Sequence, residues 1–190
     1  WRGCTLDRAV SNFESFKNHV SVLFWSLGNE SYAGDILVEM NRYYKEKDPD
    51  RLVHYEGVAE NRPYEDLISD MESQMYASPE KIKEYLENNP KKPFILCEYM
   101  HDMGNSLGGM ESYIRLLDQY EDYQGGFIWD YIDQALFVKD EVTGRDVLRY
   151  GGDFDDRPSD YEFSGNGILF ADRTEKPAMQ EVRHYYGLRR

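Results

Sequence analysis

The sequence has 190 residues, 22 basic side chains against 36 acidic ones, and a formal net charge of −14. A surface of that sign repels phosphate before contact, which excludes polyanion binding as a main function. With 41% hydrophobic and 15% aromatic residues the chain can build a packed core, so disorder is excluded as well, and no apolar run approaches the about 18 residues a membrane span needs.

The spacing predicts a first helix over 6–18, N-capped by Thr5, with Leu6, Ala9, Val10, Phe13 and Phe16 on one face. A buried strand over 20–27 follows and stops at Gly28. The next helix spans 35–47, with Ile36, Met40, Tyr43 and Tyr44 inward, and Pro49 prevents its continuation. Residues 52–57 form a second strand, and a third ends at Gln74-Met75-Tyr76. Ser78-Pro79-Glu80 starts a helix that runs to about Asn88, since a capping hydroxyl, an early Pro and an early acid coincide. Residues 93–99 are the fourth strand, 106–120 the helix after it, and 125–133 the fifth strand. Residues 140–175 read as a long ordered loop region, and a last helix begins near Pro177.

Strands separated by helices are the mark of an α/β protein with a parallel sheet. Five of them could be a complete doubly wound sheet. They could equally be the last five strands of a (β/α)8 TIM barrel, which typically takes about 250 residues. Periodicity leaves both open. The start, Trp1-Arg2-Gly3-Cys4, has neither an initiator Met nor a signal-peptide pattern and reads as the middle of a longer chain.

The polar residues sit at the strand ends. The first strand is apolar until Asn29-Glu30, the fourth until Glu98, and the fifth until Asp130. Parallel strands carry their C-terminal ends to one face, where α/β proteins build their sites. Two carboxylates on such a rim suit glycoside hydrolysis, with one a protonated acid and the other a nucleophile or base. The rival reading pairs each Glu with an arginine or a helix end. Sixteen Tyr, nine Phe and three Trp would serve either a sugar-stacking site or an aromatic core. Two cysteines, Cys4 and Cys97, make no disulfide framework, and His19, His54, His101 and His184 form no HxH or HExxH metal signature. Asp153, Asp155 and Asp156 beside Gly152 could hold a cation or simply form a solvated loop. Gly104 to Gly109 lacks the spacing of a phosphate loop.

Two segments carry a specific likeness: Trp25-Ser26-Leu27-Gly28-Asn29-Glu30-Ser31, and the run from Ile95 through Glu98-Tyr99-Met100-His101-Asp102-Met103-Gly104-Asn105 to Gly109. Together with Gln124 to Asp130 and Asn166 to Arg173, in order along the chain, they resemble the signature blocks of the family 2 β-galactosidases. The resemblance implies a retaining hydrolase on a (β/α)8 barrel, with Glu30 as acid/base and Glu98 as nucleophile. It implies that Asn29 touches the sugar 2-hydroxyl, that Tyr76 hydrogen-bonds the nucleophile, that His101 holds the sugar near its 6-hydroxyl, and that Trp129 lines the galactose pocket. It further implies Mg2+ at Glu30, and Na+ on the Phe163 carbonyl and Asn166, both ions belonging to the full-length enzyme and not fully bound by these residues alone. The family's other magnesium ligands precede the first strand here, and its His-Pro-Ser is His19-Val20-Ser21.

The expected partners are a β-galactoside such as lactose, the remaining domains of a parent enzyme, and further copies in a homo-oligomer, with no nucleic acid and no membrane. The expected compartment is the cytoplasm, and the isolated 190-residue piece is expected to be inactive. A relative acting on a β-glucuronide or β-mannoside, or a non-catalytic carbohydrate-binding or assembly subunit, are the alternatives.

Overall fold

A computed structural model describes residues 1–187, which fall into two units: Trp1–Cys97 with Tyr120–Gly125, and Glu98–Gln119 with Gly126 onward. In the first unit, α1 (Arg2–Phe16), β1 (Phe24–Ser26), α2 (Asp35–Lys47) and β2 (Leu52–His54) run in succession. β1 and β2 pair in parallel, Trp25 opposite Val53 and Ser26 opposite His54, as a helical crossover connection requires. α2 keeps its predicted limits and buries Leu37, Val38, Met40 and Tyr44. Trp25, 2% exposed, stacks on Tyr44 with ring centroids 5.2 Å apart, and Phe13 of α1 tilts against it at 5.5 Å. The indole N–H donates to Asp48 Oδ2 at 3.0 Å, so the one polar group of the ring is satisfied where the stack meets the edge.

After β2 the chain makes a 3₁₀ turn at Glu56–Ala59, a second at Arg62–Tyr64, and the short α3 (Glu65–Ile68) before β3 (Glu72–Met75). α4 (Pro79–Glu87) starts as predicted, with Ser78 Oγ accepting from Lys81 N at 3.4 Å, and buries Ile82 and Leu86 four residues apart. β4 (Phe94–Tyr99) is central in the strand order β3-β4-β5, with β5 at Tyr123–Ile128. The second unit adds α5 (Glu111–Gln119), a hairpin of β6 (Leu136–Lys139) and β7 (Asp146–Arg149), and α6 (Met179–Gly187). Its core gathers Met110, Ile168, Leu169 and Val182. No helix among the described residues is long and apolar enough to cross a membrane.

Several boundaries differ from the sequence reading. Thr5 is not a cap: its hydroxyl donates back to Trp1 O at 3.2 Å, inside a helix that has already begun at Arg2. Val10 and Phe16 face outward, 39% and 48% exposed. The strand expected over 20–27 shortens to Phe24–Ser26, and the one over 52–57 ends at His54. The helix expected from 106 starts at Glu111, because Gly109 takes φ +72° and interrupts the helical path. Within 140–175, residues Asp146–Arg149 form β7. Asp140 Oδ1 accepts from the Thr143 N–H at 2.7 Å, closing a turn that Gly144 completes at φ +67°.

Candidate functional site

In the first unit the end of β1 carries Asn29 and Glu30, and both are exposed. Glu30 sits at φ +51°, a left-handed backbone that side chains other than glycine rarely adopt. The end of β2 secures it. Glu30 N–H donates to Glu56 Oε1 at 2.6 Å. Ser31 N–H donates to the Tyr55 hydroxyl at 3.0 Å, that hydroxyl donates to Ser31 O, and Ser31 Oγ lies 2.6 Å from it. Gly57 leaves no room for a side chain here, since a Cβ would stand 2.6 Å from Ser31 O.

One layer below, His54 Nδ1 is 3.0 Å from Ser26 Oγ on β1, and Nε2 is 2.7 Å from Ser73 Oγ on β3. Burial lowers the His54 pKa to about 4, so the ring is neutral at pH 7 and one nitrogen donates while the other accepts. An open cleft of about 430 Å³ is lined by Glu30, Ser31, Glu56, Glu60, Arg62 and Gln74. Arg62 forks onto the buried Glu72 with contacts of 2.6 and 2.9 Å, and Gln74 Nε2 donates to the same carboxylate at 3.1 Å. That fork raises the Arg62 pKa further, so its charge is fixed and largely neutralised beside the cleft. Tyr76, 42% exposed and at φ +52°, follows β3.

Glu98 is half-buried near the end of β4, in the second unit. Trp129 brackets that strand end through its backbone: its N–H donates to Tyr99 O at 3.0 Å, and its carbonyl accepts from Asp102 N at 2.9 Å. Met100 takes φ +54°, turning the chain toward His101. The His101 ring stands edge-on to Phe163 with centroids 6.3 Å apart, and Ser106 Oγ donates to the His101 carbonyl at 2.5 Å. Asp102 is buried beneath it. Burial pushes its pKa up, and the Lys176 charge and the Leu107 N–H pull back without cancelling that.

Asn166 is 3% exposed and donates through Nδ2 to the Phe163 carbonyl. Its Oδ1 is buried with no hydrogen-bond partner, an uncommon state for an amide oxygen. A buried, unsatisfied oxygen beside a carbonyl is a donor set that suits a hard cation such as Na+. Magnesium is different. Among the described residues no group of three or more His, Cys, Asp or Glu side chains could hold a metal, so Glu30 alone does not make such a centre. In the Asp153–Asp156 loop two of the three carboxylates accept from backbone N–H groups: Asp153 Oδ2 takes Tyr150 N at 3.1 Å, and Asp156 Oδ1 takes Gly152 N at 2.9 Å and Phe154 N at 3.1 Å.

The structure thus gathers His101, Trp129, Phe163 and Asn166 in one unit with Glu98, and Asn29, Glu30 and Tyr76 in the other. Sequence reasoning missed His54, Tyr55 and Glu56. The signal was present in outline, because polar residues, His54 and then Glu56, follow the short apolar pair Leu52-Val53, as Glu30 and Glu98 follow theirs.

The family model for the TIM barrel domain of family 2 glycosyl hydrolases matches residues 1–189. A β-galactosidase large subunit of Latilactobacillus sakei is 73% identical over 98% of the chain, and a β-galactosidase of Halalkalibacterium halodurans is 60% identical over 98%. The chain spans 30% of the length of the first and 18% of the second. Among solved structures, a Lactobacillus rhamnosus β-glucuronidase matches over 97% of this chain and 35% of its own, with TM-score 0.61 at 17% identity. An FMN-binding β-glucuronidase from Faecalibacterium prausnitzii matches over 97% and 32%, with TM-score 0.66 at 16% identity. At such identities the likeness is one of fold, the TIM barrel.

Proposed function

The chain belongs to glycosyl hydrolase family 2, within that family's TIM barrel domain, and from this we propose that it supplies catalytic residues of a retaining β-galactosidase. The observation that carries the reading is the 73% identity, over nearly the whole chain, with a protein named a β-galactosidase large subunit. That name also supports assembly with a further polypeptide.

In the proposed reaction the Glu98 carboxylate attacks the anomeric carbon of a terminal β-galactosyl unit. The glycosidic C–O bond breaks, its electron pair goes to the leaving oxygen, and Glu30 gives that oxygen its proton. Water then loses a proton to Glu30 and attacks the same carbon, and the ester bond to Glu98 breaks with overall retention. Asn29 would hold the 2-hydroxyl, Tyr76 would donate to Glu98, His101 would orient the 6-hydroxyl, and Trp129 would give the sugar an apolar face. Phe163 O and Asn166 Oδ1 would hold Na+, which when bound supplies positive charge for a sugar hydroxyl. The buried, unsatisfied Asn166 oxygen supports that ion.

The test uses the full-length polypeptide containing this chain, assayed on nitrophenyl β-galactoside, β-glucuronide and β-mannoside. The expected result is turnover of the galactoside, lost by a factor of at least about 10⁴ in Glu98→Gln with the fold intact. Preferential turnover of the glucuronide, or a Glu98→Gln variant that keeps its rate, overturns the reading.

A further inference from the structure

We propose that Glu56 is a positioning residue for Glu30: its carboxylate holds the main chain of the acid/base in the left-handed conformation that sets the direction of the side chain. This rests on the assignment of Glu30 made above. Glu30 at φ +51° is strained for a residue with a Cβ, and such a conformation persists only where the surroundings over-determine it. Three consecutive residues from the end of β2 do so. Glu56 Oε1 accepts the Glu30 N–H at 2.6 Å, a short hydrogen bond for an amide donor. Tyr55 engages Ser31 at N, O and Oγ. Gly57 allows the two backbones to approach without a clash.

Glu56 is only 7% exposed, so its carboxylate carries a desolvation cost, and one of its oxygens is aimed at the peptide N–H of the proposed acid. Both carboxylates line the same cleft. Rotating the Glu30 backbone away from φ +51° would swing its side chain through that cleft, because the Cα–Cβ direction follows φ. Small angular errors at a proton donor cost rate where the leaving group most needs the proton.

The experiment uses the full-length polypeptide and a series of aryl β-galactosides whose phenols range from poor (phenyl) to good (2,4-dinitrophenyl) leaving groups. Glu30→Gly is the benchmark: loss of the acid/base should grow steeply as the leaving group worsens, and azide should restore dinitrophenyl galactoside turnover with galactosyl azide as product. Glu56→Ala is expected to show the same leaving-group dependence in weaker form, on the order of 100-fold in kcat/KM for the phenyl substrate and under about fivefold for the dinitrophenyl one. Glu56→Gln keeps an acceptor oxygen and is expected to lose about fivefold on the phenyl substrate alone. It carries the test should the alanine variant fail to fold. A loss uniform across leaving groups, or none, in either folded variant overturns the positioning role. If Glu30→Gly itself shows neither the dependence nor the azide product, the assignment of Glu30 falls and this inference falls with it.

Discussion

Lowering the pH should charge His54 only at a cost in stability, and the structure sets the size of that cost. The ring is 5% exposed and lies between Ser26 and Ser73, two hydroxyls that satisfy a neutral imidazole completely. Hydrogen bonding does not forbid the cation, since both hydroxyls can turn to accept. Burial does, and it moves the pKa from the ordinary 6.5 down to about 4. The unfolded chain therefore binds this proton near pH 6.5 while the folded one resists until about pH 4. Stability from this group is fully present above pH 6.5 and is lost as pH falls through that window. A shift of that size is worth roughly 3 kcal/mol. His54→Gln keeps a donor and an acceptor between the two serines and has nothing to titrate. Urea unfolding of both proteins at half-unit steps from pH 7 to pH 4 should show the parent's advantage over the variant shrinking by about 3 kcal/mol. Parallel curves over that range would refute the reasoning.

Three further outcomes are expected. Gly167→Ala would place a Cβ 2.3 Å from the Asp133 nitrogen, where only backbone could yield, so unfolding free energy should fall by about 2 kcal/mol or more. Lys176 and Asp133 are paired at 2.8 Å with both side chains 12% exposed. Lys176→Met should cost about 3 kcal/mol in urea unfolding, and adding Asp133→Asn should recover part of it. Ser78→Ala removes the capping oxygen of α4 and should lower stability by about 0.5–1 kcal/mol, with Ser78→Asn close to the parent.

Much of the element order was legible because it depends on neighbours in the chain. α2 has a stop signal in Pro49 and α4 a start signal in Ser78-Pro79-Glu80, and both helices formed within those limits. β4 is a continuous apolar run closed by Glu98, and it formed almost as predicted. Elsewhere a local signal pointed the wrong way. Thr5 has the side chain of a cap, but its hydroxyl found a carbonyl in its own helix. The apolar stretch 20–27 reads as one strand, yet only the three residues that face β2 are paired. Hairpin β6-β7 has no buried face strong enough to announce it, with Leu136 and Phe137 more than half exposed, and its turn residues carry only loop signals.

Sequence alone placed Glu30 and Glu98 at the ends of apolar strands and fixed the family through contiguous blocks of residues, because strand alternation and motif spacing are written locally. It could not say what holds Glu30 in place. Glu56, 26 residues later, reaches the Glu30 N–H only because β1 and β2 lie side by side in register, and His54 joins Ser26 to Ser73 for the same reason. A hydrogen bond between distant residues depends on both ends meeting at under about 3 Å, and that distance exists only once the chain has folded.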